Sequence, residues 1–355
     1  MAKTYKEHYD NTKLVHSLDR DGEVPTFFIV CSRLRGPGKT FQMCKMLFEK
    51  FLNEGKKFIL LTRHKKDLGT IADGCFEGYF QAEHPEYTMR EVLQMGHTFS
   101  RVFADTRVGE EVSSVECGYV IPLSAVNDIK KISSLFYDAW CFFFDEFMPV
   151  DDRFLKNEVD LLMNIYQSVA RGEGKAVRYM PIYMCSNTLS IQNPYFKALG
   201  LTSKLQSNTH FFKGEGVVFE NCDNVEGLAE MHKSSGIEKA LKKHLAEKGD
   251  NTWINDDCSL VDKPKGWGRS RYIATLIYGS ESFGVHEYYQ MGYVFLSRKT
   301  DNTCPHIYNL TFDNGNLNIP VIHSSILIQF IKTNYFLGKV RCQDGGIQRI
   351  LQEVM

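Results

Sequence analysis

A chain of 355 residues, 43% apolar and 13% aromatic, has the material for sizeable buried cores, and its length predicts two or three compact units. Its 42 basic residues nearly cancel its 43 acidic ones, which excludes bulk charge as a means of holding nucleic acid; any such binding must use a local basic patch. Ten cysteines without a CxxC pair or a histidine cluster at ligand spacing argue against a disulfide framework or a zinc site, and for reduced, mostly buried thiols.

The first ten residues lack the apolar core of a signal peptide, and no apolar run approaches a membrane span. The expectation is a cytoplasmic protein with no membrane partner. The run Thr26-Phe27-Phe28-Ile29-Val30 then predicts a buried strand. It leads through Leu34-Arg35-Gly36-Pro37-Gly38 to Lys39-Thr40, at the start of a helix whose apolar stripe is Phe41, Cys44, Leu47, Phe48 and Phe51. Strand, glycine turn, Gly-Lys-Thr and helix form the layout of a phosphate-binding loop. Backbone N–H groups of the loop, from Arg35 through Gly36 and Gly38, cradle phosphates; Lys39 reaches the β/γ oxygens and Thr40 offers a hydroxyl to Mg²⁺. Arg33 stands where the first glycine is usual, and Pro37 removes one N–H. Alone, the segment leaves room for a plain Gly-Pro-Gly turn capping a helix.

Gly55 stops this helix, and Phe58-Ile59-Leu60-Leu61-Thr62 reads as the next strand, completing a βαβ unit. Arg63-His64-Lys65-Lys66 follow, as a solvated turn or as basic residues on the working edge of an open sheet. Residues 70–118 are less readable, with short, paired strands at 99–103 and 117–121. Lys130-Lys131 after Asn127-Asp128-Ile129 fit a helix C-terminus.

The run Trp140-Cys141-Phe142-Phe143-Phe144 has no alternation and predicts a strand covered on both faces, ending in Asp145-Glu146. Asp145 is suited to the Mg²⁺ coordination shell and Glu146 to activating water. An Asp-Glu pair is commonplace at a surface; following a Gly-Lys-Thr loop and an intervening strand, it specifies nucleotide hydrolysis. Residues 159–169 are helical in pattern and end near Arg171, which reads either as a solvated cap or as an arginine reaching a neighbouring subunit's γ-phosphate. A strand at 179–185 closes on Ser186-Asn187, whose amide reads as an ordinary strand-end hydrogen bond or as a γ-phosphate sensor. Short charged helices at 227–231 and 237–245 precede a β-rich unit with strands at 272–278, 284–289 and 293–297, then helices at 324–331 and from Ile347.

Leu34-Arg35-Gly36-Pro37-Gly38-Lys39-Thr40, Thr62-Arg63-His64-Lys65, Ile121-Pro122-Leu123-Ser124, Phe144-Asp145-Glu146-Phe147, Asn157-Glu158-Val159 and Ser186-Asn187 with Asn193-Pro194-Tyr195-Phe196 occur in an order that resembles the dsDNA genome-packaging ATPase of small protein-primed tailed phages. The resemblance implies an α/β fold: an additional-strand, catalytic-glutamate (ASCE) P-loop NTPase core with a mixed or parallel sheet at 1–223. It further implies a small helical linker at 224–262 and a C-terminal α+β, ribonuclease H-like domain that has lost its nuclease site at 263–355. It implies ATP and Mg²⁺, with Lys39, Asp145, Glu146 and a trans-acting Arg171 as catalytic residues. Arg35, Gly36, Gly38, Lys39, Thr40 and Asn187 would bind ATP, and Thr40 and Asp145 the metal. Lys65 and Lys130 match lysines that face the channel or the adjacent subunit, and with their neighbours Lys66 and Lys131 they are the expected DNA-binding residues. The expected partners are double-stranded DNA, further copies in a pentameric ring, the portal protein and a structural packaging RNA. The expected location is the host cytoplasm, transiently at the procapsid portal vertex. A nucleotide-dependent DNA clamp or structural ring component with little turnover is the rival; a small-molecule kinase is disfavoured, because it needs no glutamate after the aspartate to activate water.

Overall fold

A computed structural model describes residues 9–33, 36–108, 111–150, 153–171, 177–206, 208–222, 260–262, 265–279, 281–310 and 326–354. Two compact units emerge: one runs to Ser190 and resumes at Thr209, and the other joins Ile191–Asn208 to the C-terminal residues. Of the helical linker expected at 224–262, all but residues 260–262 lies outside the described residues, including both short charged helices.

The first unit begins with a single helical turn, α1 (Thr12–Val15), followed by β1 (Phe27–Ser32), α2 (Lys39–Glu54), β2 (Lys57–Thr62) and α3 (Ile71–Glu83). An antiparallel meander of β3 (Tyr87–Gln94), β4 (Phe99–Val108) and β5 (Glu111–Pro122) follows. Next come α4 (Val126–Ile129), β6 (Ala139–Asp145), α5 (Glu158–Val169) and β7 (Ile182–Asn187). After the excursion into the second unit, β8 (Phe211–Lys213) and β9 (Val217–Asn221) complete a nine-stranded sheet of order β3-β4-β5-β2-β6-β7-β1-β9-β8. From β5 to β9 six neighbouring strands run parallel, and antiparallel pairing is confined to the two edges. Buried on both faces, β1, β2, β6 and β7 need unbroken apolar runs, and their sequences supply them. β7 is the additional strand, lying between β1 and β6.

α2 follows its predicted stripe, and Gly55 ends it in the left-handed conformation with φ +66°. Phe48, fully buried on α2, meets the rings of Phe76, Phe80 and Tyr87 edge-on, at centroid separations of 6.4, 4.8 and 5.0 Å. α3 escaped the sequence reading because Gly74 and Gly78 weaken its helical propensity; burial of Ala72, Phe76, Tyr79 and Phe80 overrides that loss. The strands expected at 99–103 and 117–121 do pair, and their hairpin extends well beyond those short runs. On β5, a Cβ at Gly118 would stand 2.6 Å from the Phe58 carbonyl oxygen of the neighbouring β2 and 2.9 Å from its ring. Gly118→Ala is expected to cost about 1–3 kcal/mol, read as a lower urea midpoint at an unchanged slope.

In the second unit, α6 (Pro194–Ala198) is capped by Asn193, whose Oδ1 accepts the Phe196 N–H at 2.9 Å. A five-stranded sheet follows: β10 (Arg271–Tyr278), β11 (Glu281–Tyr288), β12 (Tyr293–Ser297), β13 (Ile307–Asn309) and β14 (Val340–Cys342), ordered β13-β10-β11-β12-β14. β10, β11 and β12 form an antiparallel meander; β13 runs parallel to β10, and β14 parallel to β12. Helices α7 (Ile326–Phe336) and α8 (Gly345–Val354) add Ile328, Ile331, Ile347 and Ile350 to a core with Leu276, Val285 and Leu296. Residues 202–205 are tied in by two arginines: Arg349 donates to the Thr202 and Leu205 carbonyls at 2.9 and 2.6 Å, and Arg298 to the Ser203 carbonyl at 2.9 Å. Arg298 is itself ion-paired with Glu281 and, at 3.0 Å, with Asp344.

Candidate nucleotide site

β1, β7 and β6 lie side by side and parallel, so Ser32, Asn187 and Asp145 all end at one carboxyl edge of the sheet. Ligands of open α/β sheets gather at that edge. From β1 the chain turns through Gly36 and Gly38, at φ +85° and +93°, a region that admits glycine without strain. Gly38 is the N-cap of α2, so the helix N-terminus opens at Lys39 and Thr40. Pro37 lacks an N–H, and its carbonyl accepts the Tyr9 N–H at 2.7 Å, fastening the loop to the N-terminal segment.

Lys39 is only 7% exposed. Its ammonium donates to the Ser32 hydroxyl and, at 3.4 Å, to Asn187 Oδ1, so the cation lies back across the ends of β1 and β7. The Thr40 hydroxyl donates to Asp145 Oδ2 at 2.9 Å, joining two motifs that stand 105 residues apart. Asp145 is half-buried, and its carboxyl is pushed up to about 6, chiefly by burial and then by the Glu146 charge; the Thr40 hydrogen bond and the Lys39 charge only partly oppose this. A carboxylate held in that condition is short of positive charge. Paired with a hydroxyl, it forms a hard-oxygen corner that suits Mg²⁺, which keeps several of its own waters.

Glu146 is exposed, and its backbone is left-handed at φ +50°, which is rare for a residue with a side chain. Its N–H donates to Asp145 Oδ1 at 3.1 Å. Arg63, at the end of β2, donates to the Glu146 carbonyl at 3.0 Å and to the Phe147 carbonyl. The sequence left Arg63 among four basic residues, in a solvated turn or on the working edge of the sheet; its side chain is 12% exposed and ion-paired with the fully buried Glu158 at 3.0 Å. Neither this pair nor the part played by Ser32 was legible in the sequence: Arg63 and Glu158 meet across 95 positions, and the Ser32 contact needs the loop between Ser32 and Lys39 to fold back on the end of β1.

Two of the four expected DNA-facing lysines converge. Lys65 and Lys131, from separate loops, approach opposite oxygens of Asp128 at 3.2 and 3.5 Å. Lys65 first, then Lys131, holds that carboxyl below its ordinary range. Lys130 donates to Asn164 Oδ1 at 2.6 Å, and Lys66 is exposed. Arg171 is exposed beyond the end of α5, in an isolated antiparallel bridge with Val177. Arg35 lies outside the described residues.

Residues 6–350 match the family described as Podovirus DNA encapsidation protein (Gp16). The chain belongs to that family. Among its relatives, the DNA packaging protein of Bacillus phage B103 is 26% identical over 311 residues, covering 86% of this chain and 86% of that protein. The DNA packaging protein of Bacillus phage phi29 is 26% identical over 309 residues, covering 86% and 83%. In the solved bacteriophage Phi-29 viral genome packaging motor assembly, one chain shares this fold with a TM-score of 0.60 at 21% identity, over 98% of each chain. As a member of the encapsidation family, the protein serves viral DNA packaging. Among the described residues, no helix is long and apolar enough to cross a membrane.

Proposed function

We propose that this encapsidation-family protein is an Mg²⁺-dependent ATPase that drives double-stranded DNA into a capsid as a homomeric ring at the portal. The observation that carries the reading is the Thr40–Asp145 hydrogen bond beside the buried Lys39, with Glu146 next in the chain. Lys39 and the loop N–H groups bind the β and γ oxygens of ATP, displacing the Ser32 and Asn187 contacts of the ammonium. Thr40 and Asp145 would hold Mg²⁺, which when bound neutralises charge on the phosphates. Glu146 accepts a proton from the attacking water, and Asn187 reads whether the γ-phosphate is present. Arg171 of a neighbouring subunit stabilises the charge that develops on the transferred group. The exposed Glu146 favours turnover over a static clamp, because a clamp has no use for a base at this point. Phosphate release measured with and without duplex DNA tests the reading: stimulation by DNA supports a motor, and absence of release at any DNA concentration rejects it.

The grip on DNA falls to the lysines around Asp128. Such contacts read phosphates and carry no sequence preference. Removing each phosphate contact is expected to lower the slope of log K against log salt by about 0.9. Lys65→Ala and Lys131→Ala should therefore bind duplex more weakly, equally on all sequences, with flatter salt dependence and unchanged ATP affinity without DNA. Titration of labelled duplex at several salt concentrations measures this; an unaltered slope in both variants takes the Asp128 cluster out of the DNA path.

A further inference from the structure

Glu146 holds a left-handed backbone, and the residue that grips this backbone is Arg63. Its guanidinium fills two roles at once. On one side Nε and NH2 meet both oxygens of Glu158, at 3.1 and 3.0 Å. On the other, NH1 and NH2 donate to the carbonyls of Glu146 and Phe147. The plane lies over the rings of Phe144 and Phe154, at 5.0 and 5.5 Å. Glu158, in the first turn of α5, also accepts the Leu155 N–H at 2.8 Å. The pair therefore ties three segments together at Glu146: the end of β2, the exit of β6 and the start of α5. On the far side, the Phe147 N–H donates to the Cys185 carbonyl at 3.2 Å and the Met148 N–H to the Ser186 hydroxyl at 3.3 Å, so the segment after Glu146 is pinned from both directions.

We infer that Arg63 and Glu158 are positioning residues for hydrolysis, holding the Glu146 backbone in its left-handed conformation so that the carboxylate meets the attacking water. The inference rests on the reading of Glu146 as the base. Charge alone does not account for the arrangement, because Glu158 neutralises Arg63; what the guanidinium supplies is a rigid fork of donors aimed at two successive carbonyls. A lysine has the charge without the fork. The pair acts on the chemical step, where a misplacement of about 1 Å can cost ~10²-fold.

Removing Arg63 outright would strand a buried carboxylate and endanger folding, so the test uses Arg63→Lys and Glu158→Gln in the full chain, with Glu146→Gln alongside. Both pair variants are expected to lower kcat about 10-fold or more, with KM for ATP and the affinity for a non-hydrolysable ATP analogue within about twofold of wild type. On the Glu146→Gln background, Arg63→Lys should lower turnover no further, since it acts through that residue. Wild-type kcat in Arg63→Lys, a loss that appears in KM and analogue affinity, or a loss that persists in full on the Glu146→Gln background overturns the positioning role. Wild-type turnover by Glu146→Gln itself overturns the reading of the base and this inference with it, and that result is distinguishable because it needs no change at Arg63.

Discussion

Glu146→Gln is expected to bind Mg²⁺-ATP as the native chain does and to lose turnover by about 10²-fold or more. The amide keeps the size of the side chain and its place at the end of β6, and removes only its capacity to take a proton. Nucleotide binding is proposed to fall to the glycine loop, Lys39, Thr40 and Asp145, and the hydrogen bonds of Lys39 and Thr40 do not involve the Glu146 side chain. Asp145→Asn provides the contrast. It disrupts the hard-oxygen corner, and both Mg²⁺ dependence and ATP affinity should suffer. Analogue titration beside single-turnover phosphate release separates the two variants. Wild-type release from Glu146→Gln shows that another group activates the water; loss of binding in that variant moves Glu146 into the nucleotide pocket itself.

Subunits carrying Arg171→Ala are expected to be nearly inactive alone, by about 10³-fold or more as for an arginine supplied across an interface, and to regain turnover when mixed with inactive Glu146→Gln subunits. Arg171 is exposed beyond α5, and among the described residues its side chain has no acidic partner, as suits a group that finds its anion on another molecule. In a mixed ring, some interfaces pair an intact Glu146 on one side with an intact Arg171 on the other. Activity should pass through a maximum near equal proportions. Mixtures that remain inactive at every ratio place Arg171 in its own subunit's fold instead.

The Gly-Lys-Thr helix start, the apolar run ending in Asp145-Glu146 and the strands between them are local patterns, and they were legible because each obeys one periodicity over a short window. α2 and strands β1, β2, β6 and β7 appear where those patterns placed them. The hairpin of β4 and β5 was legible only in its buried halves, since residues 111–115 are exposed and their two valines, Val112 and Val115, stand three apart, out of strand alternation. α3 was hidden by two glycines whose local cost is outweighed by a buried face. The same limit applied at the site. The sequence by itself determined which residues are proposed for phosphate, metal and water chemistry, because the loop glycines, Lys39, Thr40, Asp145 and Glu146 are set by backbone conformation and residue type. Tertiary structure alone decided the polar pairings: Arg63 joins Glu158 across 95 positions, Lys65 meets Lys131 at one aspartate, and residues 202–205 belong with Arg298 and Arg349 of the second unit. The reason is physical. Such polar groups pair where sheet order and helix packing bring them together, and no periodicity along the chain records a partner that arrives from a distant strand.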